Sequence, residues 1–297
     1  MPTLVDTYNW GPKLVFSIFA ATTVILTTAI ICFHIVHPAY RLNITRWFIC
    51  GNSAAEFLCS LGILIGMWVK KPFGDCNEWG GLVVYGSISS YFWMASTAIY
   101  ILLALLFRRH SKLLFLVFAL ISTIIPLIIT LVIHFYHELG FSYYSSKFNE
   151  PDNLGTTGGW CWLRINFTFV QQSDSFTGDE WWILFAGPIW SACSIFLTMW
   201  VYAILLFKSL RKWQSKRRQM SFTMDKQAIF ALRRLLLVPT FSLICYLPGT
   251  IRSFLSLHSS TTGSNFVDWT LLFLEGIGSV LPGSLNFILF VVFKNKI

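Results

Sequence analysis

Long apolar runs alternate with short polar connections along the whole chain, and the runs are too continuous for the core of a soluble protein. A helix that crosses a hydrocarbon layer about 30 Å thick needs about 20 apolar residues. Seven stretches meet or approach that length: 14–33, 47–69, 79–107, 113–133, 181–207, 235–251 and 269–293. Glu56 and Glu275 are the only charges inside them. The shortest, 235–251, lies between Arg234 and Arg252, whose long side chains extend it by snorkelling. The pattern predicts membrane spans at about 13–37, 45–69, 79–107, 112–137, 181–207, 228–257 and 267–293. The expected fold is an all-α seven-helix transmembrane bundle, a single domain over 1–297, with sizeable connections only at 138–180 and 208–227. No internal repeat or low-complexity segment interrupts it.

Composition excludes the soluble alternatives. Apolar residues make up 55% and charged residues 12% of the 297, against about 25% charged in soluble domains. Mean hydropathy is +0.64. The excess of 22 Lys and Arg over 13 Asp and Glu is therefore sorted by side of the membrane, and implies no nucleic-acid partner. With the C-terminus inside, Arg41, Arg46, Arg108, Arg109, Lys112, the nine basic residues from Lys208 to Arg234, Lys294 and Lys296 are cytoplasmic. Only Lys13, Lys70, Lys71, Lys147, Arg164 and Arg252 fall outside. The N-terminus is thus expected outside. The start, Met1-Pro2-Thr3, has no basic segment, and the first apolar run is long enough to span, so no cleaved signal is expected.

The seven cysteines divide by position. Cys32, Cys50, Cys59, Cys193 and Cys245 sit in apolar spans as small packing residues. Cys76 and Cys161 both face the oxidising side, at the outer end of span three and in the long outer connection, and are expected to form a disulfide. Asn166-Phe167-Thr168 is a glycosylation sequon on the same side, whereas Asn43-Ile44-Thr45 lies inside. Prolines stand within four spans: Pro126, Pro188, Pro239 with Pro248, and Pro282. They bend helices or are simply tolerated there, and Pro239 is the expected hinge of span six.

Several strings carry a family resemblance. Gly159-Trp160-Cys161-Trp162 stands in the second outer connection. Span three holds Ser89-Ser90-Tyr91-Phe92-Trp93 and then Ala98-Ile99-Tyr100. Span six holds Val238-Pro239 and Thr250-Ile251-Arg252-Ser253-Phe254, and span seven Gly276-Ile277-Gly278, Gly283-Ser284-Leu285-Asn286 and Phe290. In this order the chain resembles G-protein-coupled receptors of the cyclic-AMP-receptor-like group and, more distantly, the secretin-type ones. The resemblance implies an extracellular ligand, a heterotrimeric G protein as partner, the plasma membrane as location and no catalytic activity. Rhodopsin-type marks are missing: span three ends Arg108-Arg109-His110, Asn286 opens no Asn-Pro-x-x-Tyr string, and span seven has no lysine before Lys294.

Polar residues inside the spans are the candidate machinery, because a charge near the bilayer centre costs about 2.5–3.5 kcal/mol and so usually faces the interior. Asn52, Ser53, Glu56 and Asn286 are expected to form a buried polar network, either a two-state switch or a static interhelical bond. Arg252 and Glu275 are expected to meet near the outer face, as a ligand site or as a structural ion pair. Tyr91, Trp93, Trp182 and Trp190 are the expected aromatic lining of that cavity, against the plain alternative of packing. Arg108, Arg109, Arg211, Lys212, Lys216, Arg217 and Arg218 are expected to face the G protein, and would also attract anionic lipid. No cofactor, metal or catalytic residue is expected. A transporter or channel would show paired repeats with broken helices. An intramembrane metal-dependent hydrolase would need a cluster such as His134, His137 and His258.

Overall fold

The computed structural model describes residues 4–37, 44–68, 76–107, 112–136, 139–140, 162–163, 184–216, 237–258 and 266–292. Among them are seven long helices: α1 (Leu4–Val36), α2 (Ile44–Trp68), α3 (Cys76–Phe107), α4 (Lys112–Tyr136), α5 (Pro188–Lys216), α6 (Leu237–His258) and α7 (Phe266–Val292). A helix satisfies its backbone polar groups internally, which is what an apolar solvent demands of a spanning segment. Threonines inside the helices do the same with their hydroxyls: Thr22, Thr27, Thr97 and Thr130 each bond the carbonyl four residues back. Two short strands, β1 (Leu139–Gly140) and β2 (Trp162–Leu163), pair antiparallel and lie against α3. They mark one end of the bundle, here called the strand end.

Six of the seven helices are long and apolar enough to cross a membrane. The exception is α6, whose Pro239, Ser242, Pro248, Gly249, Thr250, Arg252 and Ser253 dilute its apolar content. One proline expectation changes. Pro188 is the first residue of α5, where its missing N–H costs no bond. Pro239 is the third residue of α6 as described, and Pro248 lies in its interior.

α3 is the centre of the bundle and packs on α2, α4, α5 and α6, while α7 closes the ring against α1, α2 and α6. Small residues set two of the seams. A Cβ on Gly86 would run into the backbone of Cys59 and Ala55, which holds α2 and α3 in direct backbone contact. A Cβ on Gly278 would meet the Cys245 carbonyl and would push α7 off α6.

The distribution of polarity is inverted relative to a soluble protein. Asn52, Ser53, Glu56, Ser60, Ser89, Ser90 and Asn286 are buried, while Leu113, Leu120, Ile128 and Phe135 form an exposed apolar stripe along α4. Outward apolar and inward polar surface fits a bundle solvated by lipid.

Candidate functional site

Glu56 lies midway along α2 and is 1% exposed. Its Oε1 accepts hydrogen bonds from the Ser90 hydroxyl of α3 and the Tyr246 hydroxyl of α6. Ser90 Oγ is 2.6 Å from Tyr246 Oη, which closes a triangle of oxygens, and 3.1 Å from Asn52 Oδ1 one turn along α2. Three helices therefore meet on a single carboxyl oxygen. α7 approaches from the remaining side: a Cβ on Gly283 would touch Glu56 Cβ, Thr23 and Thr27. Thr23 of α1 bonds the Val280 carbonyl at 2.5 Å and Ser284 at 2.8 Å. Asn286 is one turn beyond Gly283, on the Asn52 side of Glu56, since α2 and α7 run antiparallel.

The second polar cluster lies toward the strand end. Arg252 Nη1 is 2.7 Å from Glu275 Oε2, and both side chains are largely covered, at 11% and 27% exposure. Gly249 makes room for the Glu275 side chain beside α6. Ser191 Oγ is 2.6 Å from Thr250 Oγ1, and Thr250 also donates to the Tyr246 carbonyl. Ser194 donates to the Tyr91 carbonyl at 2.8 Å. The Tyr91 ring stands edge-on to Tyr246 at 4.7 Å. The two clusters are thus joined through Tyr91 and Tyr246, as edge and face of one aromatic pair.

The sequence-derived candidates fall in different places. Arg252, Glu275 and Tyr91 gather around α6. Trp93 does not: it covers Gly51 and stacks edge-on with Phe48, in the core between α2, α3 and α4. Trp190 bonds the Phe185 carbonyl through Nε1 and packs against Phe92 and Phe185, with Ile129 and Ile133 of α4 in the same cluster. Both are packing residues, held where a large ring fills the gap left by a small neighbour or a helix turn. Trp182, Cys161, Asn166, Arg108, Arg109, Arg217 and Arg218 lie outside the described residues, whereas Arg211, Lys212 and Lys216 continue α5 as helix. Cys76 begins α3, and β2 begins one residue after Cys161. Among the described residues no group of three His, Cys, Asp or Glu side chains converges as a metal site.

Ser90 and Tyr246 were not singled out as network members from sequence. The available signal was positional: a tyrosine hydroxyl at the centre of an apolar span needs a partner.

A bundle with an apolar exterior, polar seams and an internal ion pair defines a multi-pass helical membrane protein. No known protein-family profile matches the chain. It is similar to G-protein coupled receptor 157 of Homo sapiens, at 24% identity over 271 residues, covering 87% of this chain and 73% of that receptor. The receptor of the same name in Mus musculus is 25% identical over 272 residues, and that in Rattus norvegicus 25% over 277, each covering 87% of this chain and 75% of the receptor.

Proposed function

We propose that this protein is a G-protein-coupled receptor of the plasma membrane, with its strand end and N-terminus extracellular. An outside ligand binds between α3, α5, α6 and α7, where Arg252, Glu275 and Tyr91 supply charge and an aromatic face. The observation that carries this reading is the chain of contacts from Ser191 through Thr250 and Tyr246 to Glu56, with Tyr91 edge-on to Tyr246 and the buried Arg252–Glu275 pair farther along α6. A path of this kind inside an apolar bundle couples the position of α6 at one end to its contact with α2 and α3 at the centre. The likeness to receptors over most of the chain supports it.

The mechanism is a population shift. In the state described, Tyr246 ties α6 to Glu56 and Ser90. A ligand that binds more tightly to a state with that contact broken shifts the equilibrium by the difference in affinity and no more. Pro248 lies between Tyr246 and Arg252 and removes one backbone bond there, so the two halves of α6 can turn separately. The far half then opens a cleft for a heterotrimeric G protein, lined by Arg108, Arg109, Arg211, Lys212, Lys216, Arg217 and Arg218. A disulfide between Cys76 and Cys161 pins the outer connection to α3, and the position of β2 against α3 supports that pairing. Asn166 carries a glycan on the same side.

The test is a G-protein biosensor in cells expressing the full chain, screened against ligand libraries. Activation that requires the chain and disappears in Arg252→Gln at equal surface level is the expected result. A chain that reaches the surface and never engages a G protein, with any ligand or in its absence, would overturn the reading.

A further inference from the structure

α4 interrupts its own backbone ladder, and α3 mends it. In an α-helix the carbonyl of one residue accepts from the N–H four residues on. Pro126 has no N–H, so α4 offers the Ser122 carbonyl no such bond. The gap is filled from outside the helix: the Ser89 hydroxyl of α3 donates to the Ser122 carbonyl at 2.8 Å. Ser89 is 2% exposed and Ser122 is fully covered, so the bond is shielded from water and lipid alike. A buried carbonyl without a donor is costly in an apolar bundle. A second contact, Ser96 Oγ to Ser122 Oγ at 3.0 Å, joins the same two helices but involves no backbone group.

The gap divides α4 at a consequential place. The part beyond Pro126 packs Ile129 and Ile133 against Val84 and Ile88 of α3. Three residues past its end, β1 begins and pairs with β2 against α3. A proline inside a helix opens a bend there unless the freed carbonyl is held. α6 shows the contrasting case. Pro248 frees the Ile244 carbonyl in the same way, and among the described residues no side chain donates to it.

We propose that Ser89 is a splint for α4. Its hydroxyl stands in for the N–H that Pro126 lacks and holds the two parts of α4 at a fixed angle, with the strand pair in place. α4 is thereby kept rigid, whereas α6, whose gap is unfilled, can bend. The proposal goes beyond the receptor reading and does not depend on it, because it concerns the folded chain alone.

The experiment has two readouts on the purified full chain in detergent micelles. The first is melting temperature. Ser89→Ala should lower it by about 2–4 °C, and by about 1 °C or less in a Pro126→Ala background, where the restored N–H already serves the Ser122 carbonyl. Equal losses in the two backgrounds would overturn the proposal, because the bond would then be an interhelical contact indifferent to the proline. The second readout decides alone if Pro126→Ala does not fold. It is the distance between spin labels at Leu113→Cys and Phe135→Cys, exposed positions about 33 Å apart along α4, with the exposed Cys32 and Cys193 replaced by serine. Ser89→Ala should broaden the distance distribution. Ser96→Ala, which loses only the side-chain contact with Ser122, should leave it as in the parent. A distribution unchanged by Ser89→Ala, or broadened as much by Ser96→Ala, would overturn the proposal equally.

Discussion

One tyrosine hydroxyl and one serine hydroxyl fix the meeting point of three helices, so their removal should be felt out of proportion to their size. Ser90→Ala loses contacts with Glu56, Asn52 and Tyr246 at once. Interhelical hydrogen bonds within membranes average about 0.6 kcal/mol and reach about 1.7. Ser90→Ala is expected at the upper end of that range, measured by thermal denaturation in detergent. Tyr246→Phe keeps the ring against Tyr91 but frees α6 from Glu56, and should raise ligand-independent signalling while changing surface level little. Equal basal signalling in Tyr246→Phe and the parent chain would mean that the triangle is a static bond and no switch. The ion pair gives a second residue-scale expectation. Arg252→Gln should destabilise by about 1–3 kcal/mol, below the 3–5 of a fully buried pair, and adding Glu275→Gln should cost little more. Arg252→Lys should restore stability better than ligand response, because a planar fork becomes a point charge.

Among the elements, α6 and α7 form the seam on which the proposed movement depends. Gly278 lets the two backbones touch, so Gly278→Leu should force them apart and destabilise by about 1–3 kcal/mol in a melting assay. Pro248→Ala restores the missing backbone bond of α6 and should blunt the maximal response to agonist while raising melting temperature. Seven helices were legible in the sequence because hydrocarbon thickness imposes one length on every span. Glu56, Arg252 and Glu275 stood out because charge is scarce in such runs. Arg252 and Glu275 could be paired from sequence since adjacent antiparallel helices bring their facing ends together. Trp93 and Trp190 were misassigned to the cavity because a lone aromatic carries no mark of azimuth: Trp93 turns to the side where Gly51 leaves room. Tyr246 was overlooked because its partner, Glu56, is 190 residues away in the chain.

For the whole molecule, orientation and coupling are the properties to test. A tag at the N-terminus should stain on intact cells, and one in the 208–227 connection only after permeabilisation, following the sidedness of Lys and Arg. Cys161→Ala should lower surface expression and signalling together, and a thiol count showing Cys76 free in the mature chain would remove the bridge. Neutralising Arg211, Lys212, Lys216, Arg217 and Arg218 together should weaken G-protein activation and leave ligand affinity, measured without G protein, nearly unchanged. The position of α4 at the rim of the bundle has a further consequence. It leans mainly on α3, and its stripe from Leu113 to Phe135 faces away from every other helix. Natural drift should therefore be fastest there. In a saturation library, Leu120, Ile124, Ile128 and Leu131 should interchange with any aliphatic or aromatic residue without penalty, while Ser122, fully buried and with its hydroxyl on Ser96, should tolerate only small residues. Two histories would then be written on one helix, a tolerant face shaped by lipid and an intolerant one shaped by α3.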